Sequence, residues 1–317
     1  MYLASRAQEL FPGAAFAVAH CNFSLRGAES DGDEAFVRDW CAAHGYECFV
    51  RKFDTREYAR AHKISIEAAA RDLRYRWFAG LCKGEKEAYG SGAPARFDAV
   101  AVAHNACDNA ETLFLNLLRG TGLKGICGMS AEGIVPGSCD NGDAVTLLRP
   151  LLGTTREEIN SWMVSNGVSW REDSTNSDST FKRNAIRNRV FPILKEMNPS
   201  FIQTIGLDMK HFSQVQEIAD GYYEEAIRKV LPAENGTDAR LDICLPELLK
   251  LTHWRYVLWR LLEPYSLNRE TFGKLTDLLQ RYSENPAGTV DFGGKTFETS
   301  GHGRLVIRNK HLIALAR

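Results

Sequence analysis

Residues 97–125 constrain this chain more than any other stretch. FDAVAVA (97–103) has the small and β-branched residues of a buried strand. A polar turn beginning at His104 follows, and then a helical pattern. Leu113, Phe114, Leu117 and Leu118 recur at helical spacing as its inner face, and Gly120 ends it. Asp108 and Glu111 stand three apart in the first turn, so they share one side of the helix. That turn lies near the carboxyl end of the strand, where open α/β sheets bind ligands. The competing reading is that two acids in a first turn simply complement the helix dipole.

Alternation continues on both sides of this unit. Residues 2–11 have the pattern of a helix, 14–20 of a strand, 33–45 of a helix closed by Gly45, and 47–53 of a strand. A helix is expected over 65–81, capped by Ser65, with Ile66, Ala70, Leu73, Trp77 and Leu81 facing inward. Segments 83–96 and 132–143 are polar and glycine-containing and are expected as loops. A strand over 144–150 and a helix over 155–167 complete a pattern that predicts an α/β fold with a doubly wound, largely parallel sheet. Such a fold normally begins with a strand and a phosphate-binding loop. This sequence opens on the helix, so that strand and loop are expected to be either absent from it or contributed in another, unrecognised way.

Beyond residue 200 the pattern changes. Long helices are expected over 204–231, 245–265 and 270–282. Residues 289–317 alternate around Gly-Gly, Gly-His-Gly and Asn-Lys turn signals, as in a small antiparallel β-meander. The expected organisation is a catalytic domain over 1–198 and a helical domain with a C-terminal meander over 199–317. The 317 residues suit two domains. A net charge of −1 means that any nucleic-acid surface must be a local basic patch. No apolar run reaches the roughly 18 residues of a membrane span, and no signal peptide is visible. The eight cysteines form no C-x-x-C pair, which argues for reduced thiols in the cytoplasm and no zinc site.

Gly120-Thr-Gly122-Leu-Lys-Gly125 matches G-x-G-x-x-G in letters but follows a helix, where a dinucleotide fingerprint follows a strand. With Arg119 and Lys124 beside it, the loop could still lie against phosphates. Gly294-Lys-Thr has no glycine five residues earlier and no helix after it, so a hairpin turn is expected there. Arg71 and Arg74 share a helix side, and their forks suit phosphate oxygens. The run 182–195 carries Lys182, Arg183, Arg187, Arg189 and Lys195 with no acid among them, the footprint of a polyanion site.

Several blocks together resemble the tRNA(Ile)-lysidine synthetases of the PP-loop ATP pyrophosphatase superfamily. They are His20-Cys-Asn22-Phe-Ser-Leu-Arg26-Gly27-Ala-Glu29-Ser30, Ala69-Ala-Arg71-Asp72-Leu-Arg74-Tyr75, His104 to Asp108 with Glu111-Thr112, and Arg119-Gly120-Thr-Gly122. Arg149-Pro150-Leu-Leu, Arg171-Glu172-Asp173-Ser174-Thr-Asn176 and Arg183-Asn184-Ala-Ile-Arg187 follow in order. The family's Ser-Gly-Gly-x-Asp-Ser loop, which cradles the ATP pyrophosphate, does not occur in the 317 residues. Alignment of the first helix would end it just before Met1, so a fragment starting at an internal methionine is expected.

The resemblance implies ATP- and Mg²⁺-dependent conversion of the first anticodon cytidine of a tRNA(Ile) with a CAU anticodon to lysidine. It implies His104, Asp108 and Glu111 as catalytic residues, with the two acids holding the ammonium of free L-lysine. His20, Asn22, Arg71 and Arg74 would face ATP, and no protein metal ligand is implied. Arg119, Lys124, Lys182, Arg183, Arg187 and Arg189 would face tRNA. A non-catalytic tRNA-binding fragment and another PP-loop tRNA-modifying enzyme are the competing readings. The sequence leaves a homodimer open.

Overall fold

The computed structural model describes residues 13–89, 96–139, 144–171, 182–231, 241–284, 295–299, 303–308 and 310–315. The expected helix over 2–11 and residues 172–176 of the Arg-Glu-Asp-Ser block lie outside them. The chain forms two compact units, Met1–His211 and Phe212–Arg317. No helix among the described residues is long and apolar enough to cross a membrane.

In the first unit, strand β1 (Ala17–Asn22) pairs in parallel with β2 (Glu47–Lys52), in the register Ala17↔Glu47 to Asn22↔Lys52. Helix α1 (Ala28–His44) connects them and ends at Gly45, whose φ of 72° is the left-handed conformation a helix stop requires. Helices α2 (Thr55–His62) and α3 (Ile66–Lys83) follow, capped by Asp54 and Ser65. A short α4 (Lys86–Tyr89) then occupies part of the expected 83–96 loop. The aromatic Tyr89 accounts for this: it is buried, and its hydroxyl donates to the Leu81 carbonyl at 2.6 Å.

Strand β3 (Ala99–Ala101), helix α5 (Ala106–Arg119) and a short α6 (Leu123–Ile126) come next. Strands β4 (Glu132–Ile134) and β5 (Thr146–Leu148) complete a sheet of order β3-β5-β4. β3 and β5 are parallel, while β4 is antiparallel and lies in an expected loop, its three residues too few to show a period. β3 is half-exposed rather than buried, because among the described residues only β5 pairs with it.

Helix α3 touches both sheets. Leu73, Trp77 and Leu81 pack with Ala19, Phe49 and Phe53 of the first, whereas Tyr75, Ala79 and Cys82 pack with Val100, Val145 and Leu147 of the second. Ile66 is exposed, since its turn precedes both clusters. Helix α5 differs from its expected face in the same way. Ala110, Phe114 and Leu115 pack against Ile186, Phe191 and Phe201, while Leu117 and Leu118 in the last turn run past these partners and are exposed. Helix α7 (Arg156–Ser165) is held by a Thr155–Glu158 capping box.

After α8 (Lys182–Ala185), a π-helical turn over Ile186–Val190 and α9 (Phe191–Met197), the long α10 (Phe201–Val230) crosses from residues of the first unit to those of the second. In the second unit the expected 245–265 helix is broken into α11 (Leu245–Leu249) and α12 (Trp254–Leu262). Leu245 and Trp254 are nine residues apart, or about two and a half turns, so an unbroken helix would point them to opposite sides. The break lets both join one core with Leu258, Leu275 and Leu279, the last two from α13 (Arg269–Glu284). The expected meander forms as β7 (Thr296–Glu298), β8 (Arg304–Arg308) and β9 (His311–Leu315). It gains a strand the pattern did not reveal, β6 (Leu241–Cys244), in the order β6-β9-β8-β7.

Gly128 combines a φ of +71° with no room for a side chain. A Cβ there would stand 2.4 Å from Met209 Sδ and 2.6 Å from Asn109 Oδ1. Met209 is buried, and Asn109 Oδ1 accepts the Met129 N–H, so neither yields space cheaply. Gly128→Ala should therefore cost roughly 2–4 kcal/mol in urea unfolding, from backbone strain plus overpacking. Gly137→Ala, at φ +75° but in open space, should cost only about 1 kcal/mol.

Candidate active site

The chain stays extended past β3, since Val102 N–H donates to the Leu148 carbonyl at 2.9 Å, and this carries His104 to the carboxyl edge of the sheet. Asn105 then caps α5. Its side-chain oxygen accepts from Cys107 N at 2.9 Å and Asp108 N at 3.1 Å, and Asp108 Oδ2 accepts from Asn105 N at 3.0 Å. One oxygen of Asp108 is thus spent on the cap. Its other oxygen lies 3.7 Å from Arg187 Nη2.

Glu111, one turn further on, is fully buried. Arg187 Nε donates to its Oε1 at 2.7 Å, and its Oε2 has no hydrogen-bond partner among the described residues. Burial pushes the Glu111 carboxyl above its ordinary range, against the pull of Arg187. Asp108 and Glu111 do share a side of the helix, and Arg187 reaches both. The structure therefore spends Arg187 on these acids instead of presenting it to solvent. Arg183 is half-buried and donates to Thr112 Oγ1 at 3.4 Å. Lys182 and Arg189 from the same run are exposed, as are Arg119 and Lys124.

His104 is half-buried, and its Nδ1 is buried without a partner among the described residues. Burial is the main reason its pKa is lowered. Asp108 opposes the shift, while Arg149, Arg183 and Arg71 reinforce it. The imidazole is accordingly neutral at pH 7. Arg71 is exposed and lies over the Tyr75 ring at 4.9 Å. Arg74 lies over Phe23 at 5.2 Å, and its charge opposes the burial that pushes the Cys21 thiol up to about 12. The two arginines expected to act together therefore rest on different aromatic rings.

His20 and Asn22 end β1. Asn22 is buried, and its amide donates to Asp31 Oδ1 at 3.0 Å and Glu34 Oε2 at 2.9 Å. Its oxygen accepts from Ser24 N at 3.0 Å, so the side chain ties the turn after β1 to α1. His20 is half-buried and its pKa is lowered, chiefly by burial. Nearby, Asp33 receives both Arg26 and Arg171 at 2.7 Å. Among the described residues no three His, Cys, Asp or Glu side chains converge as metal ligands. Sequence reasoning assigned no role to Asn105 or Arg149. For Asn105 the signal was present, an Asn with an acid three residues later. For Arg149 it was its place in the Arg149-Pro150-Leu-Leu block.

Two outcomes follow from this geometry. Arg187→Met strands a buried carboxyl and should cost roughly 3 kcal/mol in urea unfolding, most of it recovered in the Glu111→Met/Arg187→Met double variant. The lowered His104 and His20 pKa values mean that the unfolded chain takes up protons first as pH falls below 6.5. Their stabilising contribution is therefore complete above that pH and is lost as pH drops toward the folded values. The urea midpoint should fall between pH 7.5 and 5.5, and by less in His104→Gln.

Residues 1–194 match the sequence profile of the PP-loop domain. The chain is 38% identical over 274 residues to the tRNA(Ile)-lysidine synthase of Porphyromonas gingivalis, covering 86% of this chain and 54% of that protein. It is 35% identical to that of Parabacteroides distasonis, covering 89% and 56%, and 36% identical to that of Chlorobaculum tepidum, covering 86% and 75%. It thus spans about half the length of the first two relatives and three-quarters of the third. With its blocks in the family's order and its acids and histidine gathered at one sheet edge, the chain belongs to the PP-loop family and, within it, to the tRNA(Ile)-lysidine synthases.

Proposed function

We propose that this chain joins lysine to C2 of the first anticodon cytidine of a tRNA(Ile) with a CAU anticodon, at the expense of ATP, in the cytoplasm. The C2 oxygen of the base attacks the α-phosphorus and pyrophosphate leaves. The lysine side-chain amine then attacks C2 and AMP leaves. The observation that carries this reading is a fully buried carboxyl with one free oxygen, beside a second acid and a neutral histidine. Such a group takes up an ammonium well, because the cation supplies the missing hydrogen bond and adds to the charge compensation that Arg187 begins. Asp108 offers its oxygen not used by the cap. Neutral His104 accepts the proton that the amine must lose before it attacks.

ATP is a substrate in this proposal, and the exposed Arg71, whose charge bears on His104, is assigned to meet its phosphates. Arg74, resting on the Phe23 ring, acts by shaping the turn there. Mg²⁺ has no assigned ligands among the described residues. The exposed Arg119, Lys124, Lys182 and Arg189 are the tRNA-facing residues of the proposal, with Arg183 partly withdrawn. Arg187 acts inside the site by holding Glu111.

Incorporation of labelled lysine into a CAU-anticodon tRNA(Ile) transcript, with ATP and Mg²⁺, tests the proposal. The chain should be run beside a version with a Ser-Gly-Gly-x-Asp-Ser strand and loop grafted ahead of Met1, since that string is not among its 317 residues. In whichever version is active, His104→Gln should lower the rate by roughly 10²–10⁴-fold. Arg119→Ala with Lys124→Ala should weaken tRNA binding and flatten its salt dependence. No incorporation by either version, or full activity in His104→Gln, refutes the assignment.

A further inference from the structure

Four buried side-chain atoms among the described residues lack a hydrogen-bond partner: Tyr75 Oη, His104 Nδ1, Glu111 Oε2 and Arg149 Nε. Orphaned buried polar atoms are uncommon, and each needs a cause. The amine accounts for Glu111. Of the other three, His104 and Arg149 follow β3 and β5 of one sheet, and Tyr75 packs against that sheet from α3. Val100 pairs with Leu147 in the parallel β3–β5 register. Side chains alternate along extended backbone, so Val100, Val102 and His104 share a face, as do Val145, Leu147 and Arg149. Tyr75 packs on this face, in a cluster with Val100, Val102, Val145 and Leu147. Helix α3 runs against the strands, for its C-terminal Cys82 carbonyl receives the N–H of Phe97, just before β3. Helical side chains lean toward their own N-terminus, so the Tyr75 hydroxyl leans toward the carboxyl edge, where Arg71 covers its ring.

The apolar cluster therefore ends, at the ligand edge, in a rim of unused donors. Arg149 Nε–H can only donate, and the tyrosine hydroxyl and neutral imidazole can each donate. Arg149, Arg183 and Arg71 add positive potential at His104, and Asp108 opposes it. Unused donors in a buried place suit an oxyanion. We infer that Tyr75 and Arg149, together with His104, form an oxyanion pocket at the carboxyl edge of β3 and β5, a part of the site to which the sequence assigned neither residue. The inference rests on the proposed function for the two anions available, a nucleotide phosphate and the carboxylate of lysine. Both offer the same acceptor chemistry, and the probes below separate them.

Tyr75→Phe removes the orphaned hydroxyl and nothing else, which makes it the primary test. Arg149→Lys keeps the charge but removes the Nε donor, and it complements Tyr75→Phe because Arg149 also holds the Ser130 carbonyl at 2.8 Å. Calorimetric titration of the 317-residue chain with AMP, orthophosphate and L-lysine reads binding, and thermal unfolding reads the fold. The expected result for Tyr75→Phe is a Tm at or above that of the parent chain, with roughly tenfold or greater weakening of one probe. Weakening of AMP and orthophosphate alone identifies a phosphate pocket. Weakening of L-lysine alone identifies a carboxylate pocket. Unchanged affinity for all three probes, no binding of any probe by the parent chain, or a Tm several degrees lower overturns the inference. Lysine incorporation is scored separately. A Tyr75-dependent anion without lysidine formation sinks the proposed function and leaves the pocket, and lysidine formation indifferent to Tyr75 does the reverse.

Discussion

The Glu111–Arg187 pair is the interaction on which the site depends. A carboxyl with no solvent contact is costly to ionise unless a cation sits against it. Arg187 supplies that cation from a segment 76 residues away in sequence, at 2.7 Å. The same contact fixes the π-helical turn over 186–190 against α5, where Ile186 and Phe191 pack on Ala110 and Phe114. Apolar packing alone would hold the two segments together. The ion pair also fixes the register, so that one oxygen of Glu111 is engaged and the other is left for a ligand.

Helix α3 plays the complementary part. Its residues 73, 77 and 81 face one parallel pair of strands and residues 75, 79 and 82 face the other. A helix with two apolar stripes can join two sheets that share no hydrogen-bonded strand among the described residues. The arginines and the tyrosine of its middle turns then sit where the two sheets present their carboxyl ends. Arg71 and Arg74 diverge for that reason: one rests on Tyr75 above the second sheet, the other on Phe23 at the end of the first.

Much of the fold was legible because it rests on local rules. Ser65 and Thr155 cap their helices, Gly45 ends α1 in the left-handed conformation, and β1, α1 and β2 fall within a few residues of their expected places. What failed depended on distant partners. Leu117, Leu118 and Ile66 have the right period for a core, but nothing packs on their turns. Tyr89 turned a polar loop into a buried turn of helix because Phe49 and Leu81 were there to receive it. β4 and β6 are too short to carry a period and exist because β5 and β9 offered free edges.

The site divides along the same line. The sequence by itself determined the family, the positions of His104, Asp108 and Glu111 around one helix start, and the exclusion of acids from 182–195. All of these are matters of order, spacing and composition along the chain. Only the tertiary structure decided that the acid-free run exists partly to neutralise a buried acid on another element, that Asp108 spends an oxygen on its own helix, and that Asn22 is consumed by Asp31 and Glu34. Residue type tells which groups can pair. Which of the available acids and bases do pair is set by burial, where an unpaired charge is expensive and the nearest partner in space takes precedence over the nearest in sequence.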